Sequence, residues 1–248
     1  MEEHLYRRTI VKERVKSRHL PEGHRDIRVY LPPGYTEHDR YAVVYCQDGE
    51  DFFNFGRIAT IAQRLILEEI WAPFAVVGVD VDKRWRTAEY APDGMRHESY
   101  VRFWEEELMP FVEARFALRT DPHGRVLAGA SLGAAVSLAL ALRRPQQYPN
   151  VLAFSGAFDE ASLRLIRAAE DLSVLRVWMV VGLGETAFAT ERGTFDFVAL
   201  NRKAREELVG KGARVTYEEK PGEHKWGFWQ ALLPEGLAAF LGPEAPSG

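Results

Sequence analysis

Gly129-Ala130-Ser131-Leu132-Gly133 is the densest chemical signal in the chain. A serine with glycines two residues away on either side suits a turn too tight for side chains at its shoulders. Such a turn presents the hydroxyl as a nucleophile. A random chain of this composition, with 20 glycines in 248 residues, yields the pattern about 0.05 times. A serine needs a base, and His224 is the one histidine that follows it, in Pro221-Gly222-Glu223-His224-Lys225-Trp226. A carboxylate between the two would fix the imidazole tautomer and stabilise the imidazolium. Glu185, in Gly182-Leu183-Gly184-Glu185, fits best, with Asp159 and Asp196 as rivals. The bland alternatives are a serine in an ordinary tight turn, a surface-loop histidine and a solvated glutamate.

Acyl chemistry also needs donors for a tetrahedral oxyanion. The first is expected from the N–H of Leu132, the residue after the nucleophile. The second is expected from Gln47-Asp48-Gly49-Glu50, as the N–H of Glu50 or Gly49. The basic, aromatic tetrad Lys83-Arg84-Trp85-Arg86 reads either as a solvated loop or as a rim gripping an anionic or aromatic substrate. Asp48, Trp85, Arg86 and Trp226 are the expected substrate-facing residues. Gly182 to Ala187 also matches a dinucleotide fingerprint, but it sits after a late strand and Gly193 soon interrupts any helix, so no cofactor is expected. H-E-x-x-H is absent and Cys46 is the single cysteine, so no metal site is expected.

These residues need a scaffold, and the hydrophobic pattern supplies one. Residues 8–16 and 25–31 alternate apolar and polar side chains, as half-exposed antiparallel strands do, and Pro32, Pro33 and Gly34 stop the second. Residues 41–46, 74–79, 125–128, 151–154 and 177–181 are short valine-rich runs suited to strands covered on both faces. Residues 214–218 are also strand-like. Helical periodicity marks 98–116, 132–142, 163–170, 201–211 and 226–240. Strand alternating with helix predicts an α/β fold with a mostly parallel central sheet, helices on both faces and an antiparallel N-terminal edge. No linker divides the chain, so residues 1–248 are expected to form one domain, with 242–248 as a frayed tail.

Composition narrows the partners. With 32 Lys and Arg against 36 Asp and Glu, the net charge of −4 disfavours nucleic acid or an anionic membrane. At 46% hydrophobic residues the chain has ample material for a core. It shows neither a secretory signal nor a run long enough to span a membrane, so a soluble, cytoplasmic protein is expected. The expected partner is a small-molecule ester; a homo-oligomer is left open.

Together these residues resemble the esterase branch of the α/β-hydrolases that holds the enterochelin esterases, the esterase D or S-formylglutathione hydrolases and the mycolyltransferase-like enzymes. The resemblance runs from about residue 27 to 241. It is carried by residues 43–53, 76–92 (with Arg86, Glu89 and Tyr90), 106–116, 124–135 and 220–229. It implies an α/β-hydrolase fold and a serine esterase acting through Ser131, His224 and Glu185. Asp48-Gly49 resembles the family's oxyanion loop, in which the residue after the glycine, here Glu50, donates its N–H. Ala134 stands where many members have a second glycine, and the usual Gly-Gly-His-Asp becomes Gly222-Glu223-His224-Lys225. The 248 residues are expected to hold no counterpart of the separate N-terminal domain of full enterochelin esterases, an expectation that weighs against a siderophore substrate. An acyltransferase, a thioesterase and a non-catalytic binding protein of the same fold are the alternative readings.

Overall fold

The structure is a computed structural model and describes residues 8–243. Of the expected frayed tail, residues 244–248 lie outside the described residues.

Valine-rich runs become strands because β-branched side chains fit a pleated surface and can be covered on both sides. After the half-exposed β1 (Thr9–Lys16) and β2 (His24–Leu31) come β3 (Ala42–Gln47), β4 (Phe74–Val79), β5 (Arg125–Ala130), β6 (Asn150–Phe154) and β7 (Arg176–Gly182). A short hairpin follows, β8 (Phe188–Thr190) with β9 (Gly193–Phe195), and then β10 (Arg214–Lys220). Eight strands form one sheet in the order β1-β2-β4-β3-β5-β6-β7-β10. From β4 to β10 all neighbours are parallel, while β1 and β2 add an antiparallel edge.

Successive strand residues point to opposite faces, and this chain fills both. Val43 and Tyr45 face a core with Trp104, Val136 and Leu163; Val44 and Cys46 face a second with Leu65, Trp229 and Leu233. The helices that cover these faces are α1 (Gly49–Asn54), α2 (Ile58–Leu67), α3 (Arg86–Tyr90), α4 (His97–Phe103), α5 (Met109–Arg115), α6 (Leu132–Arg143), α7 (Glu160–Ala168), α8 (Phe197–Gly210) and α9 (Trp226–Leu241). Among them α1 and α2 with α9 supply the second core, and α4 to α8 the first.

Differences from the sequence pattern have local causes. The helix expected over 98–116 is interrupted by a π-helical turn, Trp104–Leu108, just before Pro110. Proline has no N–H for the carbonyl four residues back, so the ladder is broken there in any case. Helices α7 and α8 start earlier than expected because Asp159 and Asp196 cap them, accepting from Ala161 and Ser162 and from Ala199 respectively. The short helices α1 and α3, the helix α2 and the β8–β9 hairpin lie between the runs that the hydrophobic pattern marks.

The parallel strands β3 to β7 and β10 end on one edge of the sheet. Asp48, Ser131, Ser155 and Glu185 follow directly or closely after β3, β5, β6 and β7, and His224 comes four residues after β10. Ligand sites of open parallel sheets form along this edge.

Candidate active site

Ser131 links β5 to α6 with φ 57° and ψ −122°. A non-glycine residue there costs about 1–3 kcal/mol, so the surroundings must hold it. They do: its N–H donates to the Phe154 carbonyl at 2.9 Å, and its own carbonyl accepts from Ala134, Ala135 and Ala157 at 3.0–3.2 Å. A Cβ at Gly129 would stand 2.1 Å from the Gly133 backbone, which is why this turn excludes side chains at its shoulder. The Ser131 hydroxyl does not cap α6, and the residue lines the main cavity. The N–H of Leu132 opens the same helix, where the first-turn N–H groups have no carbonyl within the helix to bond.

His224 and Glu185 meet although 39 residues separate them. The imidazole Nδ1 lies 2.6 Å from Glu185 Oε2. A carboxylate only accepts, so Nδ1 carries a proton in this contact, and the neutral imidazole that makes it has its lone pair on Nε2. Glu185 is 1% exposed. Its other oxygen accepts from the Gly182 N–H at 2.8 Å and from the Ser155 hydroxyl at 2.7 Å. Ser155, itself at φ 44°, in turn accepts from Trp229 Nε1 at 2.8 Å. The imidazole packs against the rings of Phe188 and Phe197, with centroids 4.3 and 4.2 Å away, which meet each other edge-on at 5.9 Å, and it meets the Trp229 ring edge-on at 4.9 Å. The two rival acids are occupied elsewhere, each as a helix cap; Asp159 also pairs with Arg192 at 3.1 Å. His224 is not hydrogen-bonded to the Ser131 hydroxyl in this structure; such contacts tighten when substrate closes a site.

The residues expected to touch substrate divide. Trp226 lines the cavity, edge-on to Phe52. Trp85 does not line it: its ring lies under the Arg96 guanidinium, 3.4 Å from the centroid. Asp48 and Arg86 line it, but they are spent on each other. Arg86 Nε and Nη2 donate to the two Asp48 oxygens at 2.6 and 2.7 Å. Burial draws the Arg86 guanidinium down, and the Asp48 charge and hydrogen bonds more than reverse this, leaving it raised. The rest of the basic tetrad is likewise neutralised, Lys83 by Asp51 and Arg84 by Asp82. The expected grip on an anion therefore has no free cation among these residues.

Asp48 takes a left-handed conformation (φ 54°) at the start of α1. A Cβ on Gly49 would come within 2.4 Å of the Gly78 backbone, so Gly49 is where α1 presses onto β4. The Glu50 side chain is drawn outward to Arg28, 3.0 Å away.

The cavity measures about 430 Å³. Ser131, Leu132, His224 and Trp226 line it, and Phe188, Thr190, Glu191, Arg192 and Phe195 of the hairpin wall one side. Arg192 ties that hairpin to Asp93 at 2.8 Å as well as to Asp159. The dinucleotide-like run ends in this hairpin rather than in a helix, so it lacks the helix N-terminus that binds a pyrophosphate. Ser155, Trp229, Phe188 and Phe197 escaped the sequence reading; a serine right after the β6 run is the only one with a local signal.

The mostly parallel sheet with helices on both faces is that of an α/β-hydrolase. The chain belongs to the Esterase family, described as "Putative esterase", whose profile matches residues 17–240. It is 34% identical over 217 residues to YjcH of Bacillus subtilis (strain 168), covering 86% of this chain and 90% of that protein. A ferulic acid esterase structure superposes with a TM-score of 0.80 at 16% identity, covering 95% and 98% of the two chains. The enterobactin esterase of Shigella flexneri superposes at 0.76 with 20% identity, over 93% of this chain and 59% of that one. At these identities the structural likeness is one of fold. Among the described residues no helix is long and apolar enough to cross a membrane.

Proposed function

We propose that this chain is a single-domain serine esterase that cleaves a carboxylic ester through an acyl-enzyme. The observation that carries the reading is the His224 imidazole, bonded at 2.6 Å to a buried carboxylate and lining the same cavity as the strained Ser131. Ser131 Oγ attacks the ester carbonyl while His224 Nε2 takes its proton. Collapse of the tetrahedral intermediate expels the alcohol, which receives that proton from His224. Water, deprotonated by His224, then attacks the acyl-enzyme, and Ser131 regains its proton as the acid leaves. Glu185 holds the imidazole and stabilises its charged form. The N–H groups of Leu132 and Glu50 are the proposed oxyanion donors, with Gly49 as the alternative for the second.

The neighbours named for ferulic acid and enterobactin support an aromatic acyl group. The wall of Phe188, Phe195, Phe197 and Trp226 suits one, since aromatic pairs contribute about 0.5–1.5 kcal/mol beyond area burial. Two measurements test the reading. A fluorophosphonate should leave its adduct on Ser131, located by mass spectrometry. Ser131→Ala should lower kcat by about 10⁵–10⁶. A loss below about tenfold, or no adduct at Ser131, rejects it. Labelling without turnover would point to a binding protein, and turnover only with an added alcohol to an acyltransferase.

A further inference from the structure

We infer that the Asp48–Arg86 pair is a positioning clamp that sets the distance between the two segments carrying the proposed oxyanion donors, and that it does not contact substrate. The inference rests on the serine-esterase reading. Asp48 opens the turn that leads through Gly49 to Glu50, and it is 2% exposed. Arg86 spans from that turn to the nucleophile strand: besides its two bonds to Asp48, its Nη2 comes within 3.4 Å of the carbonyl of Ala130, the residue before Ser131. Asp48 also abuts the other donor segment. A Cβ at Gly133, in the first turn after Ser131, would sit 3.0 Å from Asp48 Oδ2 and 3.2 Å from Gln47 Cβ. The carboxylate is therefore wedged between α6 and the guanidinium.

The clamp is itself anchored. The Asp48 N–H donates to Tyr90 Oη at 3.1 Å, and the Arg86 guanidinium lies 5.4 Å from the centre of the same ring. Tyr100 packs on Tyr90 and donates to Gln47, the residue before Asp48. One bidentate pair and two tyrosines thus join the ends of β3 and β5 through α3 and α4. A planar guanidinium can hold both carboxylate oxygens and reach a carbonyl at once; a lysine ammonium, a point charge on a flexible stem, cannot fix that geometry.

The test is Arg86→Lys and Asp48→Asn, each scored per active site by fluorophosphonate titration, so that misfolded chains do not count. A clamp defect moves the oxyanion donors but leaves ester binding intact. The expected result is kcat per titrated site down by about 100-fold, with KM within about threefold of the parent. The affinity for an arylboronic acid, whose tetrahedral adduct puts a negative oxygen in the oxyanion position, should fall in step with kcat. A change in KM at constant kcat would make the pair a substrate contact and overturn the clamp. So would a boronate affinity unmoved in both variants. If the parent chain is not labelled at Ser131, the serine-esterase reading falls and the clamp with it; if labelling is intact and kcat unchanged, only the clamp falls.

Discussion

On the His224 flank of the serine, one carboxylate collects three hydrogen bonds, from His224, Ser155 and the Gly182 N–H, and two phenyl rings pack against the imidazole. On the Arg86 flank, one carboxylate faces one guanidinium, and the next cation, Lys83, stands 3.7 Å away with its side chain 54% exposed. The first arrangement is redundant: remove one donor and two remain. The second concentrates its geometry in a single buried pair, because a solvent-screened lysine contributes little. Positioning can therefore be spread over neutral partners or concentrated in a charge pair, and the two should fail differently.

The largest effect expected on the redundant flank comes from its one member without a substitute. Glu185→Gln keeps the shape but offers an amide N–H2 or C=O where the imidazole needs a carboxylate. The wrong tautomer and the unstabilised imidazolium should cost about 10⁴ in kcat. Steady-state rates on an activated aryl ester, with the variant's thermal stability recorded alongside, check this. A loss below about tenfold would leave the two flanks indistinguishable and the acid unassigned.

Next in size is a stability effect on the concentrated flank. Asp48→Ala leaves a guanidinium without its bonded counter-charge in a site where its side chain is 23% exposed. Removing one partner of a buried pair costs about 3–5 kcal/mol, and the residual exposure puts this case at the lower end, about 3 kcal/mol. Urea unfolding, compared at constant m, measures it. Replacing Arg86 as well, with methionine, should recover part of the loss, because no lone charge then remains buried.

Ser155→Ala should do less to catalysis. Glu185 keeps His224 and the Gly182 N–H, so the lost bond is worth at most about tenfold in kcat. Stability should fall by about 1–3 kcal/mol, because the Trp229 N–H is left buried without an acceptor. Trp229→Phe in the same background should restore much of that stability. If Ser155→Ala instead matched Glu185→Gln in kcat, the flank would not be redundant and the contrast with the clamp would disappear.

The proposed reacting groups are legible in the sequence for a physical reason: backbone requirements write themselves locally. A tight strand-to-helix turn demands small residues at 129 and 133, and Glu185 and His224 follow strand-like runs on the same sheet edge. Asp48 and Arg86 were visible too, as expected substrate contacts rather than as each other's partners. Their spacing says that each follows a strand; it does not say that β3 and β4 are neighbours, which brings the charges together. Ser155, Phe188 and Phe197 make contacts 27 to 36 residues distant along the chain, and no periodicity encodes those. Asp159 and Asp196 show the converse: at the sequence level they were rivals for the acid, and the helices they cap explain their presence.

The smallest effect is a pH dependence of stability lodged on the clamp side. His97 Nδ1 sits 3.0 Å from the carbonyl of Glu89, one turn on from Arg86 in α3. Burial pulls the His97 imidazole below its ordinary value, and the bond to Glu89 offsets only part of this. The unfolded chain therefore binds a proton near pH 6.5 that the folded chain still refuses. Stability from this group is full above that value and is lost as the pH falls toward the folded one. Melting temperatures at pH 7 and pH 5 should differ less in His97→Gln than in the parent, while the exposed His38→Gln serves as a surface control. If acid instead loosened the His224 flank first, hydrogen exchange at pH 5 would quicken around residues 182–188 before residues 86–90, and the clamp side would not be the weaker of the two.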